Sequence, residues 1–131
     1  MTKPTILIVD DDVVNRHLLK VFVQQFGGNP VVAVNGKEAV KLYAEHHPEL
    51  VLMDIVMPIM DGIESTREIR AYELEQGIPA ITIIAVTGRD EKSIETECKA
   101  AGLNRIIGKP IKANQIKEAV EDVIDIRQGR V

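Results

Sequence analysis

The sequence predicts an α/β fold: an open, doubly wound sheet of five parallel strands with helices on both faces. Three observations carry this prediction. Short apolar runs alternate with helical patterns five times along the 131 residues. The runs are apolar throughout, the mark of strands buried on both faces. Gly, Pro and Asn clusters punctuate the chain between these segments. Right-handed crossovers wind such units into one open sheet.

Thr5 to Val9 is the first strand and ends in three acids, Asp10, Asp11 and Asp12. Val14, Leu18, Phe22 and Phe26 lie at helical spacing and predict a helix over 14–26, broken by Gly27-Gly28-Asn29-Pro30. Val31 to Val34 is a short strand and Gly36 to Glu45 a second helix, which His46-His47-Pro48 ends. Leu50 to Met53 is a buried strand that stops at Asp54. A loop with Met57-Pro58 and Asp61-Gly62 leads to a helix over 63–76. Gly77-Ile78-Pro79 precedes the strand Ile81 to Val86, and Gly102 closes a helix over 90–101. Arg105 to Ile107 is the last strand and 112–127 the last helix. The chain reads as a single domain over 1–131, with its core at about 4–127.

Composition narrows the function. A 45% hydrophobic, 27% charged chain is ordinary for a globular protein. A net charge of -4 argues against a nucleic-acid-binding surface. One cysteine, Cys98, rules out an intrachain disulfide and fits a reducing, cytoplasmic setting. No signal-peptide pattern opens the chain, and no apolar run approaches the length of a membrane span. The expectation is a soluble, cytoplasmic protein.

The polar residues fall in a pattern. Asp10 and Asp11 follow the first strand, Asp54 the third, Thr87 the fourth and Lys109 the fifth. All lie at the carboxyl ends of parallel strands, the rim where open α/β sheets bind ligands. Three carboxylates brought together repel unless a cation sits among them. Their hard oxygens suit Mg²⁺, with Mn²⁺ a second possibility, rather than Zn²⁺. Three carboxylates, one divalent cation and Lys109 sum to zero charge, leaving a site that can take a phosphoryl group. A carboxylate can act as a phosphoryl nucleophile, and Asp54 leaves the central strand toward the crevice. Lys109 and the cation would neutralise the transferring oxygens, and the Thr87 hydroxyl could donate to one of them.

The segments Val9-Asp10-Asp11, Met53-Asp54-Ile55-Val56-Met57-Pro58 with Asp61-Gly62, Ala85-Val86-Thr87-Gly88 and Lys109-Pro110 together resemble the response-regulator receiver domain. The resemblance runs from about Pro4 to the last helix and implies a (βα)5 flavodoxin-like fold with strand order 2-1-3-4-5. It implies that Asp54 accepts phosphate from a histidine kinase or histidine phosphotransfer protein. It further implies Asp11, Asp54 and the Val56 backbone carbonyl as direct Mg²⁺ ligands, with Asp10 acting through water. Thr87 takes the place of the switch hydroxyl, Lys109 that of the phosphate-binding lysine, and Lys109-Pro110 is expected in cis. Family members dock their histidine donors at the start of the first helix, which makes Val14 and Leu18 candidates for partner contact or for plain burial. The fourth and fifth helices form the family's usual output face, toward a downstream protein that the sequence does not name. Many receivers carry an aromatic residue on the last strand where this chain has Ile106. The signal is therefore expected to leave mainly through Thr87 and its loop.

Other features have plainer readings. Asp12 reads as a helix N-cap and Asp61-Gly62 as the turn before the third helix. His46 and His47 do not share a helix face and fall at a helix end, so they read as surface residues, as does His17. Cys98 shares a stripe with Ile94 and Ala101 and reads as a small core residue. A receiver that binds partners without phosphorylation is disfavoured by the complete residue set. A hydrolase would need a general acid and a cap, and a nucleotide-binding protein a P-loop or G-x-G-x-x-G turn, none of which is present.

Overall fold

A computed structural model describes residues 2–129. Strands β1 (Thr5–Val9), β2 (Asn29–Ala33), β3 (Leu50–Met53), β4 (Thr82–Thr87) and β5 (Arg105–Gly108) alternate with five helices. These are α1 (Val13–Gln25), α2 (Gly36–His46), α3 (Gly62–Gln76), α4 (Glu91–Ala101) and α5 (Ala113–Arg127). Every strand pairing is parallel, in the order β2-β1-β3-β4-β5. This is the predicted doubly wound, flavodoxin-like sheet.

Two apolar layers follow from the alternation of side chains along buried strands. Leu7, Val9, Val51, Met53, Ile83 and Ala85 face α2, α3 and α4. Ile6, Ile8, Leu50, Leu52, Ile84 and Val86 face α1 and α5. The helix caps match their sequence signals. Asp12, Asn35, Asp61 and Asp90 each accept an N–H of the first turn that follows. Gly102 closes α4 in the left-handed region, at φ 104°. Cys98 is buried, whereas His17, His46 and His47 are exposed.

Two elements differ from the sequence reading. β2 begins at Asn29, not Val31, so Pro30 lies within a strand. β2 is an edge strand, where a residue lacking an N–H can be accommodated. On α1 the fully buried residues are Leu19 and Val23, with Phe22 and Phe26 packed beside them. The stripe therefore lies one position round from the Val14–Leu18 row, leaving Val13, Val14 and Val21 exposed.

A polar network ties the α2–α3–α4 layer together at the amino-terminal ends of the strands. The Tyr43 hydroxyl donates to Glu73 Oε2 at 2.6 Å, and the Ile81 N–H donates to the same oxygen at 3.0 Å. Arg70 pairs with Glu73 Oε1 at 2.9 Å and donates to the Gly102 carbonyl and Asn104 Oδ1. Asn104 Oδ1 also accepts the Ile83 N–H at 2.8 Å. Burial, and then the Glu73 carboxylate, raise the Tyr43 phenol pKa above its usual range. Each carboxylate oxygen of Glu73 thus has a partner, which makes its burial tolerable.

Glu73→Ala strands the Tyr43 hydroxyl, the Ile81 N–H and the Arg70 guanidinium at once. It is expected to cost about 3 kcal/mol of stability in urea unfolding, with Glu73→Gln costing less. A loss below about 1 kcal/mol for Glu73→Ala would show that water replaces these bonds.

Candidate functional site

The polar residues at the carboxyl rim are placed by the sheet's own ladder. The Asp10 N–H donates to the Ala33 carbonyl at 3.2 Å, and the Asp54 N–H to the Val9 carbonyl at 2.9 Å. The Lys109 N–H donates to the Thr87 carbonyl at 2.8 Å. Each is the first residue past its strand and still bonds to the neighbouring strand. Val9 pairs with Met53, so Asp10 and Asp54 emerge side by side.

Carboxylate oxygens of Asp10, Asp11 and Asp54 lie within 4.8 Å of one another. Asp10 and Asp54 are buried and Asp11 is exposed. Lys109 reaches across from the end of β5, its Nζ 3.3 Å from Asp10 Oδ2 and 3.4 Å from Asp54 Oδ2. The Lys109–Pro110 peptide bond is cis, as the resemblance implies. Asp10 is held further by its Oδ1, which accepts the Asp12 N–H at 2.9 Å, while Arg16 donates to its carbonyl. Asp10 Oδ2 is buried without an aligned hydrogen bond, despite its ion pair with Lys109.

Electrostatics follow from this crowding. Burial, and then the neighbouring Asp10 charge, raise the Asp54 pKa to about 6; Lys109 opposes both. Burial pulls the Lys109 ammonium down, but Asp54 and Asp10 outweigh it and the net direction is up. The site therefore carries an excess of negative charge, and its donors are all hard oxygens. Three clustered carboxylates with one ammonium between two of them, and a buried Asp10 oxygen that makes no aligned hydrogen bond, are what a divalent hard cation with its waters would satisfy. The residues fit such an ion.

The remaining candidates surround the cluster. Thr87 ends β4 and is buried, with its Oγ1 accepting the Arg89 N–H at 3.2 Å. The Ile55 carbonyl accepts the Gly62 N–H at 2.9 Å, whereas among the described residues the Val56 carbonyl accepts nothing. The Val56 side chain is exposed. Val14 stands at the start of α1, 68% exposed, and Leu18 one turn on is half-buried. Ile106 is half-buried and borders a surface pocket of about 260 Å³ between α4 and β5.

Sequence reasoning missed two contributors. Arg16 fixes the Asp10 backbone through a guanidinium that no local pattern pointed to. Gly62 was read as a turn residue. Its more particular role is close approach: an added Cβ would run into the Asp54 carbonyl oxygen.

A sheet of this order with an acidic, lysine-bearing carboxyl rim defines a class, and the comparisons agree with it. The family model for the response regulator receiver domain matches residues 6–121. The chain belongs to the response-regulator receiver family. It is 37% identical over 119 residues to the chemotaxis protein CheY of Halobacterium salinarum, covering 91% of this chain and 95% of that one. It is 30% identical over 127 residues to hybrid signal transduction histidine kinase K of Dictyostelium discoideum, covering 94% of this chain but only 10% of the kinase. The receiver domain of Ssk1, solved in complex with the histidine phosphotransfer protein Ypd1 of Saccharomyces cerevisiae, superposes with a TM-score of 0.86. That match is at 26% identity and covers 97% of this chain and 94% of the other. Among the described residues no helix is long and apolar enough to cross a membrane.

The raised Asp54 pKa has a measurable consequence in metal-free protein. Folded Asp54 keeps its proton to about pH 6, whereas the unfolded chain releases it near 3.8. The folded state binds more protons in that window, so stability falls as pH rises from about 4 to about 6. With EDTA present, Asp54→Asn is expected to be more stable than the parent by about 3 kcal/mol at pH 7. The difference closes toward pH 4, as read by urea unfolding across the range.

Proposed function

We propose that Asp54 accepts a phosphoryl group from a phosphohistidine on a histidine kinase or histidine phosphotransfer protein, and that phosphorylation switches partner binding. One observation carries the reading above all: a buried carboxylate at the end of the central strand lies beside two further acids and a lysine ammonium. An Asp54 oxygen attacks phosphorus, the O–P bond forms, and the P–N bond to the donor imidazole breaks. Ionised Asp54 needs no base, and the donor leaves with its nitrogen lone pair. Lys109 stays paired with Asp54 and meets the charge on the phosphoryl oxygens. The Thr87 hydroxyl turns toward the phosphoryl group and carries its presence into the loop before α4. The chain's part in this chemistry is positioning and charge stabilisation on itself, without turnover of an external substrate.

Asp11, Asp54 and the Val56 carbonyl would hold Mg²⁺ directly, with Asp10 acting through water; Mn²⁺ suits the same oxygens. The ion supplies neutralising charge to the acceptor and the transferring group. Val14 and Leu18 are assigned to the donor's docking surface, because Val14 is exposed on the rim that the donor must approach. The Ypd1–Ssk1 complex supports a phosphotransfer protein as one such donor. The acidic balance of the chain supports protein partners rather than nucleic acid. A cytoplasmic location follows from the same reading, since the donors in such relays act there.

Intact-protein mass spectrometry after incubation with acetyl phosphate and Mg²⁺ is expected to show one added phosphoryl group. The adduct should be absent in Asp54→Asn and in EDTA. An adduct that survives Asp54→Asn would move the acceptor elsewhere. Lys109→Ala should slow formation by about 10²–10³-fold while leaving the fold intact.

A further inference from the structure

The loop between β3 and α3 carries the Val56 carbonyl, and its shape is imposed from α2. The Pro58–Met60 turn closes with the Met60 N–H donating to the Pro58 carbonyl at 2.8 Å. Ile59 at its apex has φ 72°, a left-handed conformation that is unfavourable for a β-branched residue. Its side chain is 77% exposed, so no burial offsets the strain. Something else must hold the turn.

The hold comes from Gly36, the first residue of α2. Its N–H donates to the Met60 carbonyl at 3.1 Å, and its own carbonyl accepts the Ser65 hydroxyl of α3 at 2.8 Å. Ser65 is fully buried. The approach requires glycine: a Cβ at residue 36 would lie 2.5 Å from the Met60 carbonyl oxygen and 2.9 Å from that of Asp61. At the other end of the loop, Gly62 closes onto the Ile55 carbonyl and sits against that of Asp54. Met60, Ile55 and Pro58 thereby have their carbonyls engaged, whereas among the described residues those of Val56, Met57 and Ile59 accept no hydrogen bond, and Val56 is the one two residues past Asp54.

We infer that Gly36 and Ser65 form a clasp that positions the β3–α3 loop so that the Val56 carbonyl faces the cation site. They are positioning residues for metal binding, acting through Met60. The inference rests on the reading of Val56 as a ligand given above. It extends that reading by making α2, which supplies no ligand, part of the metal site's support. Outer partners of this kind typically govern metal affinity by 10–100-fold.

The test is Mg²⁺ titration of the whole chain by calorimetry, with hydrogen exchange of the 55–62 amides measured in metal-free protein. Ser65→Ala and Gly36→Ala are expected to weaken Mg²⁺ binding by about ten-fold. Both should speed exchange at residues 55–62 before any metal is added. Val120→Ala, at a buried residue of α5 on the opposite face of the sheet, controls for plain destabilisation: its Mg²⁺ affinity should match the parent's. Ser65→Ala adds no atoms, so it keeps the test open if Gly36→Ala does not fold. Folded Ser65→Ala with parental Mg²⁺ affinity and parental exchange would overturn the clasp. Equal weakening in Val120→Ala would also overturn it, reducing the effect to stability. A parent chain that binds no Mg²⁺ would instead overturn the metal reading itself, and with it the clasp's purpose.

Discussion

Two buried carboxylates beside a third, with one ammonium among them, set the terms for the whole carboxyl rim. Like charges about 4 Å apart repel by about 4 kcal/mol at an effective dielectric of 20, a sizeable part of a domain's net stability. The cluster persists because its backbones have no freedom to retreat. Asp10, Asp54 and Lys109 are each bonded to the adjacent strand one step beyond the formal ladder. Asp10 is held twice more, through the Asp12 N–H and the Arg16 guanidinium. Burial, and then repulsion that cannot relax by movement, raise the Asp54 pKa, and the same crowding is what a cation would relieve.

The opposite rim solves the same problem differently. Glu73 is as buried as Asp54, yet both its oxygens are engaged, by Tyr43, Ile81 and Arg70. Nothing there is left to bind. The contrast is one of company: Glu73 is saturated by donors of its own, whereas Asp54 shares a single ammonium, that of Lys109, with Asp10. Both depend on the parallel sheet, whose two rims collect loops from elements distant in sequence.

Much of this could be read from the chain. Strand ends located the three acids, Thr87 and Lys109, because a run buried on both faces can be recognised locally. Caps at Asp12 and Gly102 obeyed local rules in the same way. What escaped were contacts between residues far apart in sequence. Glu73 meets Tyr43 across 30 positions and Arg70 meets Gly102 across 32, and no periodicity encodes such pairings. The buried face of α1 stayed open because the helix is apolar on several sides, so spacing alone could not choose between Leu18 and Leu19. Pro30 read as a breaker because its tolerance depends on an edge position that only the assembled sheet supplies.

The hydrogen bond at Thr87 bears on how such a domain divides its time between states. The Thr87 oxygen already holds the Arg89 N–H at 3.2 Å, so a hydroxyl that turns toward a phosphoryl group exchanges one partner for another. Arg89 is exposed, and water can take over the released N–H at little cost. An exchange on those terms would leave two conformers close in free energy. A binding protein that prefers one of them would then draw the population toward it, as the proposed phosphorylation would. By linkage, such a partner and the phosphoryl group would each strengthen the other's hold on the domain.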